Sequence, residues 1–323
     1  AKFHQPLCPR FSAALIKNLT LGTSPEKIAK RLELSGIRAI NSIVDISNYI
    51  MLELGQPVHT FDYDKIRGAK MVVRESNKGE EIQTLDGKKF TLQGGDIVIE
   101  DGEGRLIDLA GIMGGALSMV DDNTKNVLLF VQTYNPARIR KTSMGLAQRS
   151  MAATIFEKGT DTELVGPTIL EATKLFKSLC GGTPAKEILN IYPHPYKVTS
   201  TDINMDYILR MLGIDISKKE ITNYLSALEF ECYWSGKNLT VKVPSFRSKD
   251  IKGPEDVLEE IARIYGYHNL PGIIMNGEIP VRTEDPKFNF EMNLKNIISG
   301  FGGTEIYTLS LVPENYTSDK HLK

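Results

Sequence analysis

The stretch from Asn41 to Asp62, N-S-I-V-D-I-S-N-Y-I-M-L-E-L-G-Q-P-V-H-T-F-D, leaves few ways to fold. Ile43, Ile46, Ile50 and Leu54 recur at spacings of three and four, which puts them on one face of a helix. Asp45, Ser47, Asn48 and Glu53 fall among them. Gly55-Gln56-Pro57 ends that helix, because Pro57 has no amide hydrogen and disfavours helical backbone at the residue before it. His59 follows at once, in a segment running into Phe61-Asp62. An apolar helix that stops by presenting a lone histidine alongside Ser47 and Asn48 is a candidate site.

The same stretch resembles the editing module of the phenylalanyl-tRNA synthetase beta chain, whose pattern runs close to V-D-x-T-N-Y-x-x-x-E-x-G-Q-P-x-H-x-F-D. Further segments extend the resemblance: Ala110 to Gly115 (A-G-I-M-G-G), Phe156 to Asp161 (F-E-K-G-T-D) and Glu259 to Tyr267 (E-E-I-A-R-I-Y-G-Y). It implies an α+β chain: a mixed α/β editing domain over 1–193, a winged-helix-like fifth domain over 196–271, and a linker with the start of a catalytic-like domain over 272–323.

The 323 residues allow two or three domains at about 100–200 residues each. Apolar content of 41% and charged content of 24% are those of an ordinary globular protein. A net charge of −1 gives no global basic field for nucleic acid, although Arg138, Arg140 and Lys141 form a local basic cluster. Cys8, Cys180 and Cys232 are odd in number and lack ligand spacing, so reduced thiols in a cytoplasmic protein are expected. No apolar run approaches the roughly 20 residues of a membrane span, and no signal peptide is visible.

Along the chain, Ser24 is expected to cap a helix with Pro25 at its first position, ending at Gly36. Met71–Arg74, the segments around the Leu85–Lys88 turn, 96–99, 106–109 and 126–129 read as strands. The glycines of 111–115 lack the lysine and hydroxyl ending of a P-loop. A long amphipathic helix is expected over 163–179, then a proline-stiffened linker at 192–195. Helices at 202–212 and 217–228, a hairpin about 235–238 and a helix at 254–265 complete the next unit, with Ser217 and Glu220 as a capping box. A helix at 290–299 and a strand at 306–311 close the sequence, which reads as part of a longer chain.

The family's editing site hydrolyses tyrosine esterified to phenylalanine tRNA. An aminoacyl ester is already reactive, so such a site holds it, places a water and stabilises the oxyanion. The resemblance implies His59, Asn48 and Arg38 as catalytic residues, with His59 positioning water or binding the terminal adenosine at a near-neutral pKa. It places Ser47, Ala110, Gly111, Ser150 and Ala152 in the pocket. Two positions depart from the family. The glutamate that reads the tyrosine hydroxyl falls on Phe130, and the family's T-E-A becomes Ser150-Met151-Ala152. A phenyl ring accepts no hydroxyl hydrogen bond, so Gln132 is the substitute reader or the pocket is relaxed or lost.

Asp250, Asp256, Glu259 and Glu260 match the family's acidic pattern. Positions 256, 259 and 260 share one helical edge. Several oxygen ligands without His or Cys suit magnesium, and the resemblance implies a Mg2+ site shared with the alpha chain. A solvated acidic helix start is the plainer reading. ATP is expected as a substrate of the whole enzyme and not of this part. The expected partners are the alpha chain, in an alpha2beta2 complex, and tRNA(Phe), with neither DNA nor membrane. A DNA-reading winged helix is disfavoured because 217–228 offers only Lys218 and Lys219. Two functions remain: ester proofreading, or a non-editing scaffold for assembly and tRNA docking.

Overall fold

The computed structural model of the protein describes residues 6–274, 276–279 and 285–313. Contacts divide the chain into two compact units, Ala1–Pro271 and Gly272–Lys323. The first unit opens with β1 (Phe11–Lys17), α1 (Glu26–Leu34), α2 (Ser42–Leu54) and β2 (Val58–Asp62). Next come β3 (Met71–Glu75), β4 (Glu81–Gln83), β5 (Lys89–Thr91), β6 (Ile97–Asp101), β7 (Leu106–Leu109), β8 (Met113–Gly114) and β9 (Val127–Gln132). Then α3 (Pro136–Gly145), α4 (Met151–Phe156), α5 (Val165–Cys180) and β10 (Thr183–Ile191) follow. The unit ends with β11 (Ser200–Asn204), α6 (Met205–Leu212), α7 (Lys218–Ala227), β12 (Glu231–Ser235), β13 (Asn238–Lys242) and α8 (Pro254–Tyr265). The second unit contains α9 (Pro286–Gly300).

The α+β class is as expected: helices mixed with antiparallel sheets. A first sheet has the order β10-β1-β9-β2 and a second the order β3-β6-β7-β8. Strand β9 explains how the two are joined. Its side chains alternate, so Val127, Leu129 and Val131 face α2 and α5 with Ile43, Ile46, Ile50, Ile169 and Phe176. Phe130, from the other face, packs with Phe61 and with Val98, Ile99, Ile107 and Leu109 of β6 and β7. The result is a layer of helices, a sheet and a second sheet, each interface filled by one parity of β9.

Helix α2 is capped at its start by Asn41. Asn41 Oδ1 accepts from the backbone N–H groups of Ile43 and Val44 at 3.1 and 3.0 Å. It stops at Gly55, whose φ of 69° is the left-handed cap that glycine adopts without strain. Ser24 does not cap α1 as expected. Its hydroxyl donates instead to Asp45 Oδ2 at 2.7 Å, and Ile40 N donates to Oδ1 at 2.8 Å. Asp45 is 1% exposed, and a buried carboxylate needs those donors more than an exposed helix end does.

The three strands β11-β13-β12 form a small sheet with α6, α7 and α8 around Ile203, Ile208, Ile221, Leu225, Leu239, Val241, Val257 and Ile261. The Ser217–Glu220 capping box is present. The expected helix from 202 begins only at Met205: residues 200–204 pair with β13, and the Asn204 side chain caps α6. In the second unit the expected strand at 306–311 is absent, since an isolated strand has no neighbour to complete its ladder. Residues 314–323, assigned to the same segment, lie outside the described residues.

Candidate functional site

Where α2 gives way to β2, the two sheets and the start of α4 enclose a cleft of about 250 Å³. Asn48, His59, Asp108, Gly111, Gln132 and Ser150 are among its walls. Ser47, Asn48 and His59 also border a second hollow of about 190 Å³, which leads toward Val44, Met119 and Val120. His59 therefore stands on the ridge between two hollows.

The His59 ring meets the edge of Phe61 at 4.4 Å between centroids. It lies so close to Gly114 that a Cβ there would approach His59 Cε1 to 2.5 Å. No carboxylate balances the ring, and burial pushes its pKa down to about 4. What surface it keeps faces the cleft. The near-neutral titration expected of it is thus replaced by an imidazole that stays uncharged at pH 7.

Opposite it are polar groups that lack partners. Asp108 lies on β7, 3% exposed, and burial alone drives its carboxyl pKa well above the usual range, favouring the neutral acid. Gln132, at the end of β9 and 3% exposed, has an Oε1 without a hydrogen bond, and so does the nearby Tyr134 hydroxyl. Burial raises the Tyr134 pKa, the Asp108 and Cys8 charges add to the rise, and the Gln132 side chain beside the hydroxyl works against it. Gly111 shows why this corner admits only glycine: its φ is +71°, and a Cβ would meet the Tyr134 ring at 2.7 Å.

Seven of the residues singled out from sequence line the cleft: Ser47, Asn48, His59, Gly111, Gln132, Ser150 and Ala152. The Ser150 hydroxyl is already committed, donating to Ile112 O at 2.6 Å and accepting from Ala153 N as the cap of α4. Ser47 donates back along its helix to Ile43 O. Three residues do not line the cleft. Arg38 is exposed in the loop before α2, away from the helix end that carries the site. Ala110 is fully buried in the core between the sheets. Phe130 pairs directly with His59 across β2 and β9, but its ring is 3% exposed and turns inward against Phe11 and Phe61. Asp108 was not singled out, although a lone acidic residue inside the apolar run L-I-D-L-A is itself a signal.

The four carboxylates of the acidic pattern have other occupations. Asp256 Oδ2 accepts from Lys252 N and Gly253 N, closing the start of α8. Arg247 donates to Asp250 and to Glu260, and Arg263 takes the second oxygen of Glu260. Glu259 is exposed. Among the described residues no three His, Cys, Asp or Glu side chains gather as a metal site. The arrangement therefore does not fit a magnesium ion. Nor is any described helix long and apolar enough to cross a membrane.

Residues 7–181 match the B3/4 domain family, and residues 201–267 match the tRNA synthetase B5 domain family. The chain is 38% identical over 311 residues to a phenylalanine–tRNA ligase beta subunit from Carboxydothermus hydrogenoformans, covering 96% of this chain and 39% of that protein. The beta subunit from Staphylococcus haemolyticus is 38% identical over 317 residues, again 96% of this chain and 39% of the relative. This chain thus spans well under half of the relatives it matches. A solved N-terminal fragment of the phenylalanyl-tRNA synthetase beta-subunit from Pyrococcus horikoshii superposes with a TM-score of 0.40 at 19% identity, over 81% of this chain and 72% of that one, too loosely to carry an argument. With both domains in order along it, the chain belongs to the phenylalanine–tRNA ligase beta-subunit family.

Proposed function

We propose that this chain carries the proofreading site of a phenylalanine–tRNA ligase, hydrolysing tyrosine misattached to tRNA(Phe). The observation that carries this reading is the placement of His59 between two hollows. The tyrosyl group enters the cleft bordered by Gln132 and Gly111. The terminal nucleoside lies over Val44, Met119 and Val120, and the ester rests against His59 and Asn48. An uncharged imidazole with a pKa near 4 is a weak base, so it orients the attacking water through its free nitrogen and leaves bulk proton transfer to solvent. The Asn48 amide donates to the carbonyl oxygen as negative charge develops. Ser47, Ser150 and Ala152 shape the walls, Ala110 and Phe130 support them from behind, and exposed Arg38 is left for phosphate.

For the intact enzyme we infer ATP-dependent charging of tRNA(Phe) with phenylalanine in the cytoplasm by an alpha2beta2 complex. Residues 1–193 form the editing module, 196–271 the fifth domain, and 272–323 a linker into a catalytic-like domain. A magnesium ion shared with the alpha chain would have to displace Arg247 and Arg263 from Glu260, and no step is routed through it.

A non-editing scaffold is the second reading, favoured by the phenyl ring at position 130. Hydrolysis of tyrosyl- and phenylalanyl-tRNA(Phe) by the alpha/beta enzyme separates the two. Selective loss of the tyrosyl ester, abolished in His59→Ala, is expected. Equal stability of both esters with and without enzyme would leave the scaffold.

A further inference from the structure

Between the two sheets, position 130 faces the same space as His59, its direct partner across the β2–β9 ladder. Phe130 fills that space with a ring held by Phe11 and Phe61 and contributes no polar atom. Polar atoms reach the cleft from two neighbouring places instead. Gln132 is two residues further along β9 and so on the face of Phe130. Asp108 pairs with Gly114 across β7 and β8, and paired residues share a face. That face is the one on which the His59 ring rests against Gly114. Asp108 and Gln132 thus border one cleft from different sheets.

Both are 3% exposed, Gln132 Oε1 has no hydrogen bond, and the Asp108 carboxyl makes none among the described residues. Native interiors rarely keep such groups unsatisfied, and each that persists calls for an explanation in strain, in a catalytic role, or in a water or ion that completes it. We propose that Asp108 and the Gln132 side-chain carbonyl together read the phenolic hydroxyl of the tyrosyl group, replacing the glutamate lost at position 130. The phenol donates to Gln132 Oε1, and the neutral Asp108 carboxyl donates its O–H to the phenol oxygen. A phenylalanyl ring leaves both groups unpaired, so the pair rejects the correct amino acid as well as accepting the wrong one. Burial of Asp108 favours its neutral form, which supplies the donor this pairing requires.

This inference rests on the proofreading reading, and its test keeps the two apart. The alpha/beta enzyme is titrated with adenosine carrying tyrosine or phenylalanine through a non-hydrolysable 3′-amide. The tyrosyl analogue is expected to bind at least about tenfold tighter than the phenylalanyl one. Asp108→Ala and Gln132→Leu should each bring the ratio toward one, and Asp108→Asn, which can still donate and accept, should restore most of it. Melting curves check each variant; removing an unpaired buried acid should not lower stability. Equal binding of the analogues by the wild type, no binding of either, or an unchanged ratio in Asp108→Ala overturns the inference. A preference lost in Asp108→Ala, without ester hydrolysis by the wild type, upholds the reader and overturns proofreading.

Discussion

Gln56 Nε2 donates to the main-chain oxygen of Gln132 at 2.7 Å and to that of Pro57 at 3.1 Å. The fully buried amide thereby pins the turn that ends α2 to the last residue of β9, fixing the separation between His59 and Gln132. Replacing Gln56 with Leu removes the donor and leaves the Gln132 carbonyl buried without it. Stability should fall by about 1–3 kcal/mol, read from denaturant unfolding. A loss below about 0.5 kcal/mol would mean that the turn holds itself through Pro57 and the Gly55 cap alone.

What the sequence made legible was local. The stop of α2 at Gly55 and the Ser217–Glu220 box are interactions between neighbours, so spacing reveals them. β1 and β10 were not legible. β10 is an edge strand, mostly exposed, carrying Lys186 and Glu187, and pairing with β1 requires closure over more than 160 residues. Ser24 misled because its partner, Asp45, is buried in another helix. The cleft followed the same rule: His59 and Asn48 stood in one motif, whereas Asp108 joins them only through the β7–β8 ladder and the packing of two sheets.

The two titrating groups of the cleft should tilt stability in opposite directions. His59 is neutral in the folded state down to a pKa of about 4, whereas the unfolded chain protonates it near 6.5. Between those values the unfolded state binds more protons, so His59 makes stability fall as pH falls from about 6.5 to 4. Asp108 has a raised folded pKa, so from the ordinary carboxylate range upward the folded state binds more protons. Stability from this group is present at low pH and declines as pH rises through its folded pKa. Melting temperatures of wild type, His59→Phe and Asp108→Asn across pH 4 to 8 should show each slope vanish with its residue; parallel curves would place both groups in solvent-like surroundings.

Gly114 supplies room and no side chain. A Cβ at this position would meet His59 Cε1 at 2.5 Å, His59 Nε2 at 3.0 Å and Leu85 Cδ1 at 2.8 Å. These are tips of side chains, and no positive φ is recorded for Gly114, so Gly114→Ala should fold with His59 displaced into the cleft. Tyrosyl-ester hydrolysis is expected to fall at least about tenfold, since small misplacements at a reacting centre are costly. The unfolding free energy should drop by about 1–3 kcal/mol. Unimpaired hydrolysis in this variant would take the ring out of the reaction path.

Arg247 decides what the acidic residues of α8 do. Its guanidinium lies between Asp250 and Glu260, and with Arg263 it holds the Glu260 carboxyl below its ordinary range. A cation at Glu260 would have to compete with two arginines already in place, so magnesium at millimolar concentration should leave the melting temperature of the wild type unchanged. Arg247→Met frees one oxygen of a carboxylate whose side chain is only 6% exposed. It should cost about 1.5–3 kcal/mol, the range for a hydrogen bond to a charged group. If magnesium then restored stability to this variant alone, the carboxylates would be competent ligands that Arg247 keeps occupied. Stabilisation of the wild type by magnesium would instead mean that the ion displaces the arginines, and that the ion pairs of α8 describe only its metal-free state.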